Sequence, residues 1–224
     1  MFVAIGRTLP LMLAALASPA MAGAQTASDP SVTIELMGGT AYNVPTPLTI
    51  QQTGFPDIHM TAHYATKPLG PFAPYYSWRI DFWGKHGAWE VQQVHHRLFL
   101  TNTTPEVQLF EIHFGYNYFL AGRAWRTHGF VVHASGGLVV PNPESIIRGL
   151  RLNAPGPNAL DVGYRIGGVG AALAASRYVA LGTHFYLLAD GGLIVGRATV
   201  PVASGSASVP NVGLHGHLGV GFAF

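Results

Sequence analysis

The sequence contains no cysteine, which excludes a disulfide framework and a thiolate metal centre. It is also poor in charge. Asp, Glu, Lys and Arg make up 10% of the chain, against roughly 25% in ordinary soluble domains. The 12 basic residues are scattered among 10 acidic ones, and without a Lys/Arg cluster nucleic acid is not an expected partner. Mean hydropathy is nevertheless positive, at +0.28. After residue 24, however, no run reaches the ~18 uninterrupted apolar residues that a spanning helix requires. Gly167-Gly168-Val169-Gly170 lacks both the G-x-G-x-x-G spacing and a following Lys. It is therefore not a nucleotide loop, and no cofactor is expected. A chain this apolar without a spanning helix has two homes, a large buried core or a barrel in lipid. Lipid admits only helices and closed barrels, because each backbone polar group must be satisfied within the protein.

What is present favours the barrel. Residues 1–24 carry one basic residue, Arg7, then the apolar run Leu9–Ala17, then small residues ending Ala20-Met21-Ala22. This is the pattern of a cleaved secretory signal peptide, leaving 25–224 as one domain. At the other end, Val212, Leu214, Leu218, Val220, Phe222 and Phe224 alternate with Asn211, Gly213, His215, His217, Gly219 and Gly221. A period of two is a β-strand with one oily and one polar face. This strand, ending in Phe222-Ala223-Phe224, resembles the closing strand of small outer-membrane β-barrels of Gram-negative bacteria. The resemblance implies an antiparallel transmembrane barrel in the outer membrane, with membrane lipids as partners. It also implies recognition by the barrel-assembly machinery through the strand ending at Phe224.

Other segments follow the same alternation. Tyr76, Trp78, Ile80 and Phe82 share one face, and Ser77, Arg79 and Asp81 the other. Trp78, Trp83, Trp89 and Trp125 suit the membrane interfaces. In 88–100 the apolar parity slips, which predicts a bulge near Gln92-Gln93 and turns Glu90, His95 and Arg97 inward. In 107–120, Phe110, Ile112, Phe114, Tyr116 and Tyr118 are expected outside, with Glu111, His113 and Asn117 inside. Turns are expected at 84–87, 121–127 and 176–181, and external loops at 141–160 and 200–210. Counting 32–43 and 47–52 as separate strands gives about ten, with eight as the alternative. The lumen is then rich in His59, His63, His113, His133, His215 and His217, joined by Asp81, Glu90, Glu111, Asp190, Arg79 and Arg165.

A polar lumen of this kind is primarily structural, since a narrow barrel fills its interior with side chains that need partners. Chemistry is the second reading. His215 and His217 project to the same side and could share a metal with a third ligand from another strand, His113 or Glu111. His133-Ala134-Ser135-Gly136 resembles the His-x-Ser-Asn segment of outer-membrane lipid A deacylases, with Gly136 where that family has Asn. The resemblance implies a lipid-modifying hydrolase using Ser135 and His133, with Glu144 as the orienting acid. The leading expectation is a non-enzymatic barrel with a structural or surface-interaction role.

Overall fold

The computed structural model describes residues 31–69, 74–152 and 163–224; the expected leader, 1–24, lies outside them. Among the described residues every regular element is a strand. They are β1 (Val32–Val44), β2 (Thr46–Gln52), β3 (Ile58–Ala62), β4 (Tyr64–Ala65), β5 (Tyr76–Gly84), β6 (Gly87–Leu100) and β7 (Val107–Thr127). After these come β8 (Phe130–Pro141), β9 (Glu144–Ile147), β10 (Leu150–Leu152), β11 (Gly168–Ala180), β12 (Phe185–Val202) and β13 (Gly205–Ala223). Eight of them hydrogen-bond in a ring, β1-β5-β6-β7-β8-β11-β12-β13 and back to β1, each pair antiparallel. Closure leaves the ring without an exposed edge.

The fold is the expected antiparallel barrel, with the smaller of the two strand counts. β1 stays in the wall, but β2 and β3 do not enter it. Pro45 and Pro47 lack the amide hydrogens a ladder uses, so the chain leaves the ring after Val44. β2 then pairs with the far end of β13, and with β3.

The wall alternates as a lipid-facing sheet should. Leu36, Phe82, Trp89, Leu138, Leu173, Leu187, Leu218 and Val220 are exposed on the outside. Glu35, Arg79, Asp81, Glu90, His133, Ser176, Asp190 and His217 are buried within. The β5–β6, β7–β8 and β11–β12 connections, all short, lie at the end that carries the start of β1 and the end of β13. Two of them differ from expectation. β7 runs on to Thr127, and the turn is His128-Gly129, both at positive φ (49° and 81°), the backbone a two-residue hairpin needs. Ser176-Arg177-Tyr178 lies inside β11, and the β11–β12 connection is Leu181–His184.

At the opposite end the strands outrun the ring. The segment 200–210, expected as a loop, is a continuous hairpin of β12 and β13 paired to Val202↔Gly205. Val200, Val202, Ala207 and Val209 are buried there, so alternation rather than loop composition governs it. β2–β3 attach on one side, while β9–β10 attach to the first part of β7. The β9–β10 turn is Arg148-Gly149, again with both φ positive (51° and 74°). The rest of the expected 141–160 loop, from 153 on, lies outside the described residues. Leu48, Ile50, Phe110, Ile112, Ile147, Val200 and Val209 form an apolar core beneath this extension.

Arg148 ties its parts together. Its Nε donates to Glu106 Oε1 (2.9 Å), and Nη2 donates to the Pro56 carbonyl (2.8 Å). The guanidinium also lies 4.9 Å from the centre of the Phe55 ring. Arg148→Ala is expected to raise protease cleavage at 53–57 and 148–152 about three- to ten-fold without loosening the ring. Mass spectrometry of the fragments checks it, and unchanged cleavage would remove Arg148 as the clasp.

Candidate functional site

The chemically dense region is the lumen in the short-turn half of the barrel. Alternation on β1, β5, β6, β8, β11, β12 and β13 sends one polar side chain per strand to the same level. Arg79 is its centre and is fully buried. Its Nη2 meets Glu35 Oε2 at 2.6 Å, and its Nη1 meets Asp190 Oδ2 at 3.3 Å. Nη2 also donates to Ser176 Oγ (3.0 Å). Tyr186 donates its hydroxyl to the second Glu35 oxygen (2.9 Å). Asp190 is further held by the Ser176 hydroxyl (2.7 Å) and by His217 Nδ1 (3.1 Å). A buried charge is tolerated only when paired in this way.

Beside this knot lies a second one. Asp81 and Glu90 face each other across β5 and β6. His133 Nδ1 contacts Glu90 Oε2 at 2.5 Å, and His133 Nε2 lies 3.1 Å from Ser176 Oγ. Thr33 donates to Asp81 Oδ2 (3.2 Å). Above both, His96 Nε2 meets Asn43 Oδ1 (2.8 Å). Tyr118 donates to Asn211 (3.0 Å), and Asn211 donates to the same Asn43 oxygen (2.9 Å). Tyr118 fits only because β11 and β12 carry glycine against it: a Cβ on Gly170 or on Gly196 would come within 2.7 Å of its ring.

Of the expected lumen residues, His133, His215, His217, Asp81, Glu90, Asp190 and Arg79 are buried inside the ring. His59, His63 and Arg165 are exposed instead. Glu111 and His113 also lie elsewhere, because the face assignment of β7 is inverted. Phe110, Ile112, Tyr116, Tyr118 and Leu120 are the buried set, since the lumen at that level is an apolar core rather than a polar one. The same reversal applies to the far half of 88–100, where Val94 and Leu98, expected outside, are buried. Pairing is regular through Gln92 and Gln93, and the irregularity falls between His96 and Leu98, opposite Gly115. His96 therefore points inward, while His95 turns outward under a stacked Tyr76 ring at 4.9 Å.

The two proposed chemistries are not assembled. His215 and His217 do sit together, with ring centroids 4.7 Å apart. His113 instead lies beyond the ring on the first part of β7, 3.7 Å from Glu111 and 3.8 Å from Glu144. Burial holds its imidazole below its ordinary pKa, against the pull of Glu144 and Glu111. Glu144 also pairs with Arg151 (3.4 Å), so it does not orient His133; Glu90 does. Ser135 Oγ is buried and has no hydrogen-bond partner.

No protein-family model matches the chain, and no curated protein matches it. Among solved structures it is similar to the outer membrane protein AlkL, determined in lipid bilayers. That pair shares 12% identity over 92% of this chain and 95% of AlkL, with a TM-score of 0.46. It is also similar to the outer membrane protein OprG of Pseudomonas aeruginosa, at 12% identity over 88% and 98% of the two chains and a TM-score of 0.43. Ail, the attachment invasion locus protein of Yersinia pestis, gives 12% identity over 88% and 100%, with a TM-score of 0.41. Identities this low concern architecture alone.

Among the members of the site missed in the sequence are Glu35, Ser176 and His96. Glu35 was available from parity with Ile34 and Leu36. Ser176 was hidden by its assignment to a turn, and His96 by the slipped parity of its strand. Arg side chains cover rings near the short-turn end: Arg177 over Phe130 (4.6 Å) and Arg123 over Trp89 (4.7 Å) outside the wall, and Arg126 over Trp83 (4.0 Å) on the lumen side. Trp89 and Trp125 are exposed at this rim, as interfacial anchors are, whereas Trp83, expected with them, turns inward and donates its indole N–H to Thr33 (3.1 Å).

Proposed function

We propose that this chain spans a Gram-negative outer membrane as a closed, non-enzymatic barrel and presents its strand extension outside as an interaction surface. The observation that carries this is an inverted polarity. Leu36, Leu173 and Leu218 are exposed at 60%, 59% and 52%, while Arg79, Asp81 and His217 are at 0%. Water would favour the reverse, so the solvent of the outer face is acyl chain. Outer-membrane lipids are the partners of that face. The closing strand, with Phe224 exposed at its tip, is the segment offered to the barrel-assembly machinery.

The absence of cysteine makes the orientation simple to test. Thr53→Cys lies in the β2–β3 turn and Lys85→Cys in the β5–β6 turn, both exposed positions. An impermeant maleimide should label the first on intact cells and the second only after lysis. Labelling at neither position on intact cells would overturn the reading.

The hydrolase reading has one observation in its favour, the succession Ser176–His133–Glu90, which has the order of nucleophile, base and orienting acid. The Ser176 hydroxyl, however, gives its hydrogen to Asp190, and the residue is at 0% exposure. Incubating the purified barrel with lipid A and phospholipid should release no fatty acid. Release abolished by Ser135→Ala or Ser176→Ala would replace the present proposal with an enzymatic one.

A further inference from the structure

We propose that Asp81, Glu90 and His133 form a buried binding site for one divalent metal ion of the zinc or manganese class. Each of the three offers a donor atom, and the three atoms lie within 4.8 Å of one another. Zinc takes His nitrogen and carboxylate oxygen at about 2.0–2.2 Å, so modest side-chain rotations close the trio on a common centre. One imidazole with two carboxylates is a mixed donor set that suits zinc and manganese.

Two further observations point to a cation here. First, Asp81 Oδ1 and Glu90 Oε1 have no hydrogen-bond partner, although both residues are essentially fully buried. A buried carboxylate oxygen left unpaired is costly. Second, with all four carboxylates ionised, as metal binding requires, the charges of the network do not balance. Glu35, Asp81, Glu90 and Asp190 are set against Arg79, His133 and His217. Even with both imidazoles protonated, one negative charge is left over. Arg79 is committed to Glu35 and Asp190, so the excess falls on Asp81 and Glu90. A divalent ion would displace the proton in the His133–Glu90 contact and neutralise the pair. The other His133 nitrogen, held by Ser176, gives the ring the second support that metal-bound imidazoles have. Asp81 and Glu90 sit close to the Gly84–Gly87 turn, beneath Trp83, whose indole N–H donates to Thr33 (3.1 Å). None of this depends on the surrounding solvent, and the site would stand even if the membrane reading fell.

The test uses the barrel purified in detergent after expression with ZnCl2 or MnCl2, desalted, and analysed by inductively coupled plasma mass spectrometry. The wild type should retain about one ion per chain, and Asp81→Asn with Glu90→Gln should retain at least about ten-fold less. His59→Asn with His63→Asn, at exposed positions, should retain as much as the wild type. If the carboxylate variant fails to fold, zinc-edge X-ray absorption on the wild type decides. A shell of one imidazole among oxygens is expected. No retained metal, equal retention in the carboxylate variant, or a shell with several imidazoles would each overturn the site.

Discussion

Arg79→Ala should nearly abolish the folded barrel. The substitution leaves Glu35 and Asp190 facing each other's level of the lumen without their shared cation (2.6 and 3.3 Å in the native structure). Breaking one partner out of a buried ion pair costs about 3–5 kcal/mol, a large part of the ~5–15 kcal/mol available to a domain. The urea midpoint of the folded, heat-modifiable form on cold gels reads the loss. Arg79→Lys should recover only part of it, because an ammonium cannot reproduce the fork that reaches Glu35, Asp190 and Ser176 together. Adding Glu35→Gln and Asp190→Asn to Arg79→Ala should restore stability relative to Arg79→Ala alone, since the orphaned charges are then gone. A midpoint unmoved by Arg79→Ala would mean the knot is not held by its charges.

The second large effect concerns the outer face. Leu218 is exposed and pairs with Gly38 and Ala189 midway along the wall. In water, Leu218→Arg would be a surface change worth no more than about 0.5 kcal/mol. Facing acyl chains near the midplane it costs about 2–4 kcal/mol. Leu181→Arg, at the short-turn rim and equally exposed, should cost about 0–1 kcal/mol in lipid. Urea titration in lipid vesicles compares the two. Equal, small effects would show that the oily belt does not face a membrane interior.

Conduction follows from packing. The short-turn half is filled by Arg79 and its partners, and the other half by the apolar core under Arg148. The barrel should therefore give no steady ion current in planar bilayers, and a stable open level would contradict the filled lumen.

The alternation of β13 and β5 was legible from residues alone, because one face meets lipid and the other a polar lumen. The rule failed in β7 and in the far half of β6, where both faces are covered. There Phe110, Ile112, Tyr116 and Tyr118 look outward by hydropathy but fill the lumen, and polarity carries no sign. Gly115, at φ 112°, breaks the local pairing without any cue beyond being a glycine. The count of ten gave way to the alternative of eight for a similar reason: β2 and β3 have ordinary strand patterns, and nothing local says whether a strand joins a ring or an extension of it.

Composition, period and the resemblance of the last strand to outer-membrane closing strands were thus enough to determine that the chain is a barrel, and alternation within each strand was enough to turn His133, His215 and His217 inward. Which inward groups meet was decided only by the tertiary structure. Glu35, Arg79, Ser176 and Asp190 lie as much as 155 positions apart in the sequence, and their contact depends on strand register and ring closure. Those are properties of the whole hydrogen-bonded circuit, and no single segment contains them.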